Sequence, residues 1–167
     1  FVRDKAFTDD PVVPRPRDDS WSYNDFRDFS VDSCIPAARH LADQGLWVLR
    51  MGVHVETPLE DIHPRVIDYA NSKHWSDFAD IYLHAHCKFL VGSASPINMS
   101  AIFDVPYVFT NIVPMGDSGR ADNTLFILKK YWHEEENRFL TFPEAMAFDL
   151  DGDYLSREKG KKLATKG

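Results

Sequence analysis

The chain has 167 residues, of which 44% are apolar and 27% are charged, a composition typical of one soluble globular domain and not of a disordered or collagen-like chain. The formal charge is −7 with the acidic residues scattered along the chain, so no positive field attracts a nucleic-acid backbone. No apolar run approaches the ~20 residues needed to cross a bilayer, and the first residues do not form a signal peptide.

The N-terminal region predicts a truncated strand followed by a loop. Phe1 and Val2 are followed at once by charged residues, as at the end of a strand whose beginning is missing, so we expect the chain to be a fragment. Residues 8–30 contain Pro11, Pro14 and Pro16 among many polar and aromatic residues. This composition predicts a lid-like loop without regular elements.

The next segment predicts a helix and two strands. Apolar residues recur at helical spacing from Val31 to Gln44, and Gly45 is a typical end signal. The apolar run at 46–49 predicts a strand buried on both faces, ending at Arg50. Residues 65–69 form a weaker strand candidate.

The centre of the chain continues the alternation of helices and strands. Ser76 is placed to cap a helix that carries Phe78, Ile81, Tyr82 and Ala85 on one side. A strand at 88–92, a helix at 96–103 and a strand from 106 follow. Strands alternating with helices of about ten residues predict an α/β fold, with a Rossmann-like, mostly parallel sheet flanked by helices.

The C-terminal region predicts two short amphipathic helices, at 125–132 and 143–148. Residues 151–167 are rich in Lys and Gly and are interpreted as a polar tail. The predicted organisation is therefore one α/β domain over residues 1–150, with the loop at 8–30 inside it, followed by the tail.

In an open parallel sheet, ligands bind beyond the carboxyl ends of the strands. Arg3 and Arg50 each follow a predicted strand, and the turn Gly92-Ser93-Ala94-Ser95-Pro96 follows another. In this turn Gly92 permits close backbone approach, Ser95 suits a helix N-cap and Pro96 suits the first helical position, so the turn is a candidate phosphate site. The alternative is that Ser95 only caps its own helix.

Two arginines at strand ends favour a diphosphate ligand, because the planar guanidinium matches a phosphate in two parallel hydrogen bonds. The alternatives are ion pairs, of Arg3 with Asp4 or Asp28 and of Arg50 with Glu56. The other candidate donor-binding residues are Asp68, for a ribose or a base, with a solvated surface carboxylate as the alternative, and Tyr23 and Arg27 of the predicted lid.

No metal is expected at this crevice, because no Asp-x-Asp motif follows a strand and the arginines would neutralise the diphosphate. His84 and His86 do not share a helical face, which argues against a metal site. Cys34 and Cys87 lack a zinc-binding spacing. This cysteine usage favours a cytoplasmic location, with the inner face of the membrane left open.

Six segments of the chain form a recognisable succession: Phe1-Val2-Arg3-Asp4, Ser22-Tyr23-Asn24-Asp25-Phe26-Arg27, Gly45-Leu46-Trp47-Val48-Leu49-Arg50-Met51-Gly52, Val66-Ile67-Asp68-Tyr69-Ala70, Cys87-Lys88-Phe89-Leu90-Val91-Gly92-Ser93 and Phe103-Asp104-Val105-Pro106. Together these segments resemble bacterial glycosyltransferases encoded with surface-polysaccharide genes. The resemblance covers about residues 1–115 and extends distantly to the O-fucosyltransferase and α-1,6-fucosyltransferase superfamily. The phosphate-binding motif of that superfamily usually reads Gly-Thr-Ser-Ser-Gly, whereas here it is Gly92-Ser93-Ala94-Ser95-Pro96, and the first motif, at Phe1-Val2-Arg3, lacks its preceding strand.

The resemblance implies the C-terminal, donor-binding half of an inverting, metal-independent glycosyltransferase of the GT-B type. Arg3 with Ser93 or Ser95 would then grip the diphosphate of a GDP- or UDP-linked sugar, with Arg3 and Arg50 as the catalytic cations. The sugar would pass to a glycan or lipid-linked acceptor, with an N-terminal domain outside this chain, without which the fragment is not expected to be fully active. A non-catalytic nucleotide- or sugar-binding domain is the alternative. A hydrolase is disfavoured because no Gly-x-Ser-x-Gly elbow is present.

Overall fold

A computed structural model describes residues 30–53, 55, 57–93, 97–112, 122–150 and 163–165. The helices are α1 (Ile35–Asp43), α2 (Asp77–His86), α3 (Ile97–Phe103) and α4 (Phe142–Leu150). The strands are β1 (Val48–Leu49), β2 (Val66–Ile67), β3 (Leu90–Gly92), β4 (Tyr107–Ile112), β5 (Thr124–Leu128), β6 (Tyr131–His133), β7 (Arg138–Phe139) and β8 (Leu163–Thr165). Short 3-10 helices cover Val31–Cys34 and Tyr69–Asn71.

The described strands form two parallel sheets and one antiparallel sheet. β1 pairs with β2 in parallel, and β3, β4 and β5 form a parallel sheet in that order. β6 pairs antiparallel with β7 and with β8, so three residues of the predicted polar tail lie in a sheet. The predicted α/β class with parallel strands and flanking helices is confirmed, but the strands form separate small sheets instead of one.

The start and end of α1 follow local signals. Ser30 accepts a hydrogen bond from the Asp32 backbone N–H at 3.1 Å, and the short 3-10 helix that it caps leads into α1. At the other end, Leu46 N–H donates to Leu41 O at 3.1 Å and Gly45 N–H donates to Ala42 O at 2.9 Å, with Gly45 at φ 91°. This pair of bonds is the Schellman motif, which confirms the predicted helix end at Gly45.

The predicted strand after α1 is shorter and more exposed than expected. β1 covers Val48 and Leu49, both only partly buried, and the Trp47 ring is mostly exposed with the Arg65 guanidinium 5.7 Å from its centroid. The prediction of burial on both faces is therefore wrong, since neither residue of β1 is fully buried.

Helix α2 begins where the sequence predicts, since Ser76 Oγ accepts a hydrogen bond from Ala79 N–H at 3.1 Å. The side chains of Phe78, Ile81 and Tyr82, however, are exposed. The buried residue of α2 is His84, whose ring Nδ1 lies 2.6 Å from Asp80 O. This hydrogen bond lets a polar ring occupy the packed side of the helix.

The core of the described structure lies around β3 and β4. Its buried members are Leu90, Val105, Tyr107, Phe109 and Ile112. The buried Ser100 hydroxyl of α3 donates to Val105 O, which fastens the end of α3 to the start of β4. Asn111 has φ 59° at an irregularity in the β4–β5 pairing, where the strand register shifts between Phe109 and Ile112.

The segment 125–132 was predicted to be a helix and instead supplies β5 and β6, so that prediction is wrong. Its apolar spacing fits a helix face, but pairing of Thr124–Leu128 with β4 decides the conformation. Aromatic and β-branched residues in this run favour such a pairing. The helix predicted at 143–148 is present as α4. No helix in the described ranges is both long and apolar enough to span a membrane.

Candidate functional site at the carboxyl ends of the parallel strands

Arg50 directly follows β1 and is held by its backbone. Its N–H donates to Ile67 O at 2.9 Å, and its carbonyl accepts from Ala70 N–H at 3.1 Å. These two bonds tie the end of β1 to the end of β2 and to the 3-10 helix that follows. The Arg50 side chain is therefore placed at the carboxyl edge of the sheet by a fixed main chain, and it is only 5% exposed.

Asp68 directly follows β2 and binds Arg50. Its Oδ1 accepts from Arg50 Nη1 at 3.2 Å, with the carboxylate side chain 11% exposed. Its Oδ2 accepts from the Leu59 backbone N–H at 2.9 Å and from Asn71 Nδ2 at 2.7 Å. One carboxylate thus joins the two strand ends, the loop after β1 and the turn after β2.

The surroundings keep Asp68 charged. Burial alone would raise its pKa, but the hydrogen bonds from Asn71, Leu59 and Arg50, together with the Arg50 charge, lower the pKa below the ordinary aspartate value. The pair is therefore an ion pair at neutral pH. The Glu56 partner considered for Arg50 lies outside the described residues.

The turn after β2 is fixed to α2 through Tyr69. The buried ring of Tyr69 carries a hydroxyl that accepts from Ser76 N–H at 3.1 Å and donates to Ser76 O at 3.4 Å. Sequence reasoning missed the supporting roles of Tyr69, Asn71 and Leu59. The Asp68–Asn71 spacing of three residues was a usable signal, because Asp and Asn side chains commonly stabilise such turns.

Gly92 and Ser93 lie at the carboxyl end of β3. Gly92 is the last residue of the strand and pairs with Phe109 of β4, and Ser93 follows it with 2% of its surface exposed. Helix α3 begins at Ile97. The strand predicted before Ser93 and the helix predicted after it are thus both present, while Ala94, Ser95 and Pro96 lie outside the described residues.

The structure brings together Arg50 and Asp68 from the predicted site residues. Gly92 and Ser93 are at the equivalent end of a strand in the other parallel sheet. Arg3, Tyr23 and Arg27 lie outside the described residues, as does the whole predicted lid apart from Ser30. The described part of the site is thus a buried cation–carboxylate pair and, separately, a buried serine, each after a parallel strand.

The remaining candidates for metal or thiol chemistry lie apart. In the described ranges, no three His, Cys, Asp or Glu side chains are grouped as metal ligands. His86 stacks on Tyr82 with ring centroids 4.2 Å apart, and its Nδ1 lies 2.9 Å from Tyr82 O. Cys34 and Cys87 are free thiols, and burial raises the pKa of each.

No family model, curated protein or solved structure matches the chain. A functional assignment therefore depends on the chemistry at the strand ends and on the sequence motifs that contain the same residues.

Proposed function

We propose that this chain is the donor-binding α/β domain of an inverting, metal-independent glycosyltransferase of the GT-B type. It binds a GDP- or UDP-linked sugar at the carboxyl edge of its parallel strands. The sugar passes to a glycan or lipid-linked acceptor held by a further domain, and the reaction takes place in the cytoplasm.

The observation that carries the proposal is the position of Arg50 and Asp68 directly after two paired parallel strands. This edge is where open α/β sheets bind ligands. A buried guanidinium is suited to a doubly charged diphosphate, since its charge is permanent and its donors form a planar fork. Placement of such a group at this edge favours an anionic ligand.

In this proposal Asp68 is a positioning residue. Both of its oxygens accept hydrogen bonds from the chain, and one of these donors is Arg50. The carboxylate therefore fixes the orientation of the guanidinium, and a ribose contact, which the sequence suggested, is the less favoured role. Holding the cation in place before the ligand arrives avoids a cost of ordering it on binding.

Gly92 and Ser93 supply the second half of the proposed phosphate site, together with Ala94, Ser95 and the sequence that leads into α3. The glycine allows close approach of a ligand to the main chain, and serine hydroxyls are donors for phosphate oxygens. Arg3, Tyr23 and Arg27 complete the proposed site on the grounds of the sequence motifs alone.

The chemistry of such a site is electrostatic. Sugar transfer from a nucleotide donor develops negative charge on the leaving diphosphate, and Arg50 with Arg3 would stabilise that charge as it forms. Arginines take the place that a divalent cation has in metal-dependent enzymes. The alternative of a non-catalytic binding domain predicts the same ligand without turnover of the sugar donor.

Calorimetric titration with GDP and UDP tests the binding site. Arg50→Lys keeps the positive charge beside Asp68 but loses the fork, so we expect affinity to fall at least about tenfold. Arg39→Lys is the matched control, because Arg39 is exposed on α1 and its Nε bonds only weakly to Ile62 O at 3.4 Å. Circular dichroism of both variants checks that they fold.

A thermal-shift series on the unmodified chain guards against an Arg50 variant that fails to fold. A nucleoside diphosphate at about 100 times its Kd stabilises the chain by about 2.7 kcal/mol. Absence of any shift with either ligand at millimolar concentration would overturn the proposal. Binding that persists after EDTA treatment supports its metal-independent form, and transfer of the sugar to an acceptor by a longer protein that includes the proposed acceptor domain separates an enzyme from a binding domain.

A further inference from the structure

β5 is an edge strand with apolar side chains exposed on both of its faces. Within the described strands it pairs only with β4. Leu125, Phe126 and Ile127 are 68%, 39% and 56% exposed. Parallel sheets normally have both faces covered, and an open apolar edge pairs readily with another strand.

The hydrogen bonds to β4 show which backbone groups of β5 face the open edge. Tyr107 N–H donates to Asn123 O at 3.2 Å, and Lys129 N–H donates to Ile112 O at 3.1 Å. The backbone carbonyl of Asn123 and the backbone N–H of Lys129 therefore point toward β4. Because peptide groups alternate sides along a strand, the N–H and C=O groups of Thr124, Phe126 and Leu128 point to the open edge. The irregular residues lie in β4, so β5 keeps this alternation throughout.

We propose that the open edge of β5 pairs antiparallel with β5 of a second copy of this chain, with the two-fold axis at Phe126. In that register Phe126 faces Phe126 of the second copy as a hydrogen-bonded pair, and Thr124 faces Leu128 in the same way. Every outward-facing backbone group of β5 then has a partner. The interface is isologous, as a closed two-fold dimer requires.

The same register buries the most exposed apolar side chains of the strand. Leu125 lies opposite Ile127 of the second copy in a non-hydrogen-bonded pair, where side chains approach most closely. On the other face the Phe126 rings meet. Phe126 already packs against Phe109, with ring centroids 6.3 Å apart, so the contact extends an existing aromatic cluster across the axis.

Charge selects a second copy in the antiparallel direction. Asp122 precedes β5 and Lys130 follows it, and both residues are exposed. Antiparallel pairing about Phe126 places each Asp122 opposite Lys130 of the second copy. Parallel in-register pairing would instead place Asp122 against Asp122 and Lys130 against Lys130, which is repulsive. The segment is thus complementary to itself in only one of the two directions.

Sedimentation equilibrium of the chain over a range of concentrations is the first test, and a reversible dimer is expected. Ile127→Lys should weaken it by about a hundredfold, because it places a charge in the cross-strand apolar pair. Ile102→Lys is the matched control, since Ile102 is also exposed, at 70% against 56% for Ile127, but lies on α3, and it should leave the dimer unchanged. Circular dichroism confirms folding of both variants.

Charge reversal gives a second and independent test of the register. Asp122→Lys and Lys130→Asp should each weaken the dimer by about tenfold, because each creates two like-charge contacts by symmetry. The double variant should restore the original dimer affinity, since it exchanges the two charges and again places Lys opposite Asp across the interface.

A chain that stays monomeric at ~100 µM, well above the Kd of an ordinary specific dimer, would overturn the proposal. It would also be overturned if Ile127→Lys left the dimer affinity unchanged. The same holds if the double charge-reversal variant dimerised more weakly than either single variant. These outcomes are separate from nucleotide binding, which is measured on other residues.

Discussion

The Arg50 guanidinium and the Asp68 carboxylate, 18 residues apart in sequence, meet at 3.2 Å where β1 and β2 end side by side. The contact closes the loop between the two strands, and Asp68 extends it to Leu59 and Asn71. Stability and the proposed anion site thus depend on the same pair.

Breaking this pair should be costly. Asp68→Ala leaves a buried guanidinium with a lost partner and removes the acceptor for Leu59 N–H and Asn71, so we expect a loss of about 3–5 kcal/mol in the free energy of unfolding. Urea denaturation measures it. Asp43→Ala is the control, because Asp43 is 71% exposed and its contact with His63 joins Oδ1 to Nε2 at 3.5 Å on the surface, so a loss within about 1 kcal/mol is expected. Equal losses in the two variants would mean that the buried Arg50–Asp68 pair contributes no more to the free energy of unfolding than an exposed contact does.

The pH dependence of stability should carry the signature of Asp68. Its folded pKa lies below the ordinary value, so the unfolded chain binds more protons near that value and stability rises with pH there. The contribution is complete above the ordinary aspartate pKa and is lost as pH falls through the lowered one. Asp68→Asn should therefore flatten the acid limb of the stability curve between about pH 5 and pH 2.

The contribution of Asp80 to stability should depend on pH with the opposite sign to that of Asp68. Burial raises the pKa of Asp80, so its contribution to stability is present below the ordinary aspartate pKa and is lost as pH rises through the raised one, and Asp80→Asn should steepen the same limb. Denaturant midpoints at a series of acidic pH values measure both variants. A steeper limb in Asp68→Asn would contradict the assignment of the ion pair.

Gly52 should be less replaceable than Gly45, although both have positive φ. Gly52 has φ 146°, and an added Cβ would lie 3.2 Å from Val55 Cγ1. At Gly45, with φ 91°, the nearest atom to such a Cβ is Arg65 Nη1 at 3.8 Å. Ala at either position carries backbone strain of about 1–3 kcal/mol, and Gly52→Ala adds a steric contact. In thermal unfolding, the melting temperature of Gly52→Ala should be lower than that of Gly45→Ala. The reverse order would refute the packing argument.

Two tyrosine-to-phenylalanine changes should have different effects on the free energy of unfolding, because only one of the two hydroxyls has hydrogen-bond partners among the described residues. The Tyr107 hydroxyl is buried with no hydrogen-bond partner among the described residues, and burial raises its pKa. Tyr107→Phe removes an unsatisfied group, so it should be neutral or stabilising by up to about 1–3 kcal/mol. Tyr69→Phe removes both bonds to Ser76 and should destabilise by about 1 kcal/mol or more. Destabilisation of similar size in both variants would show that the Tyr107 hydroxyl has a partner.

Local signals in the sequence determined where the helices begin and end. Ser76 predicted the start of α2, and Gly45 predicted the end of α1, because caps and left-handed glycines satisfy backbone groups within a few residues. The alternation of apolar runs with helical periods was sufficient for the α/β class and for placing Arg50 and Ser93 after strands. Each of these inferences depends on contacts between near neighbours in the chain.

Strand pairing, the partner of Arg50 and the burial of helix faces were decided by the tertiary structure, because contacts between near neighbours in the chain do not determine them. The run at 125–132 has spacing compatible with a helix, and only the presence of β4 beside it makes Thr124–Leu128 a strand. The partner of Arg50 is likewise set by the parallel pairing of β1 with β2, which brings Asp68 next to it across 18 residues. Phe78 and Ile81 form an apolar helix face that is exposed, since periodicity identifies a face but not what packs against it. Which strand pairs with which depends on burial summed over the whole domain, and that sum cannot be evaluated one segment at a time.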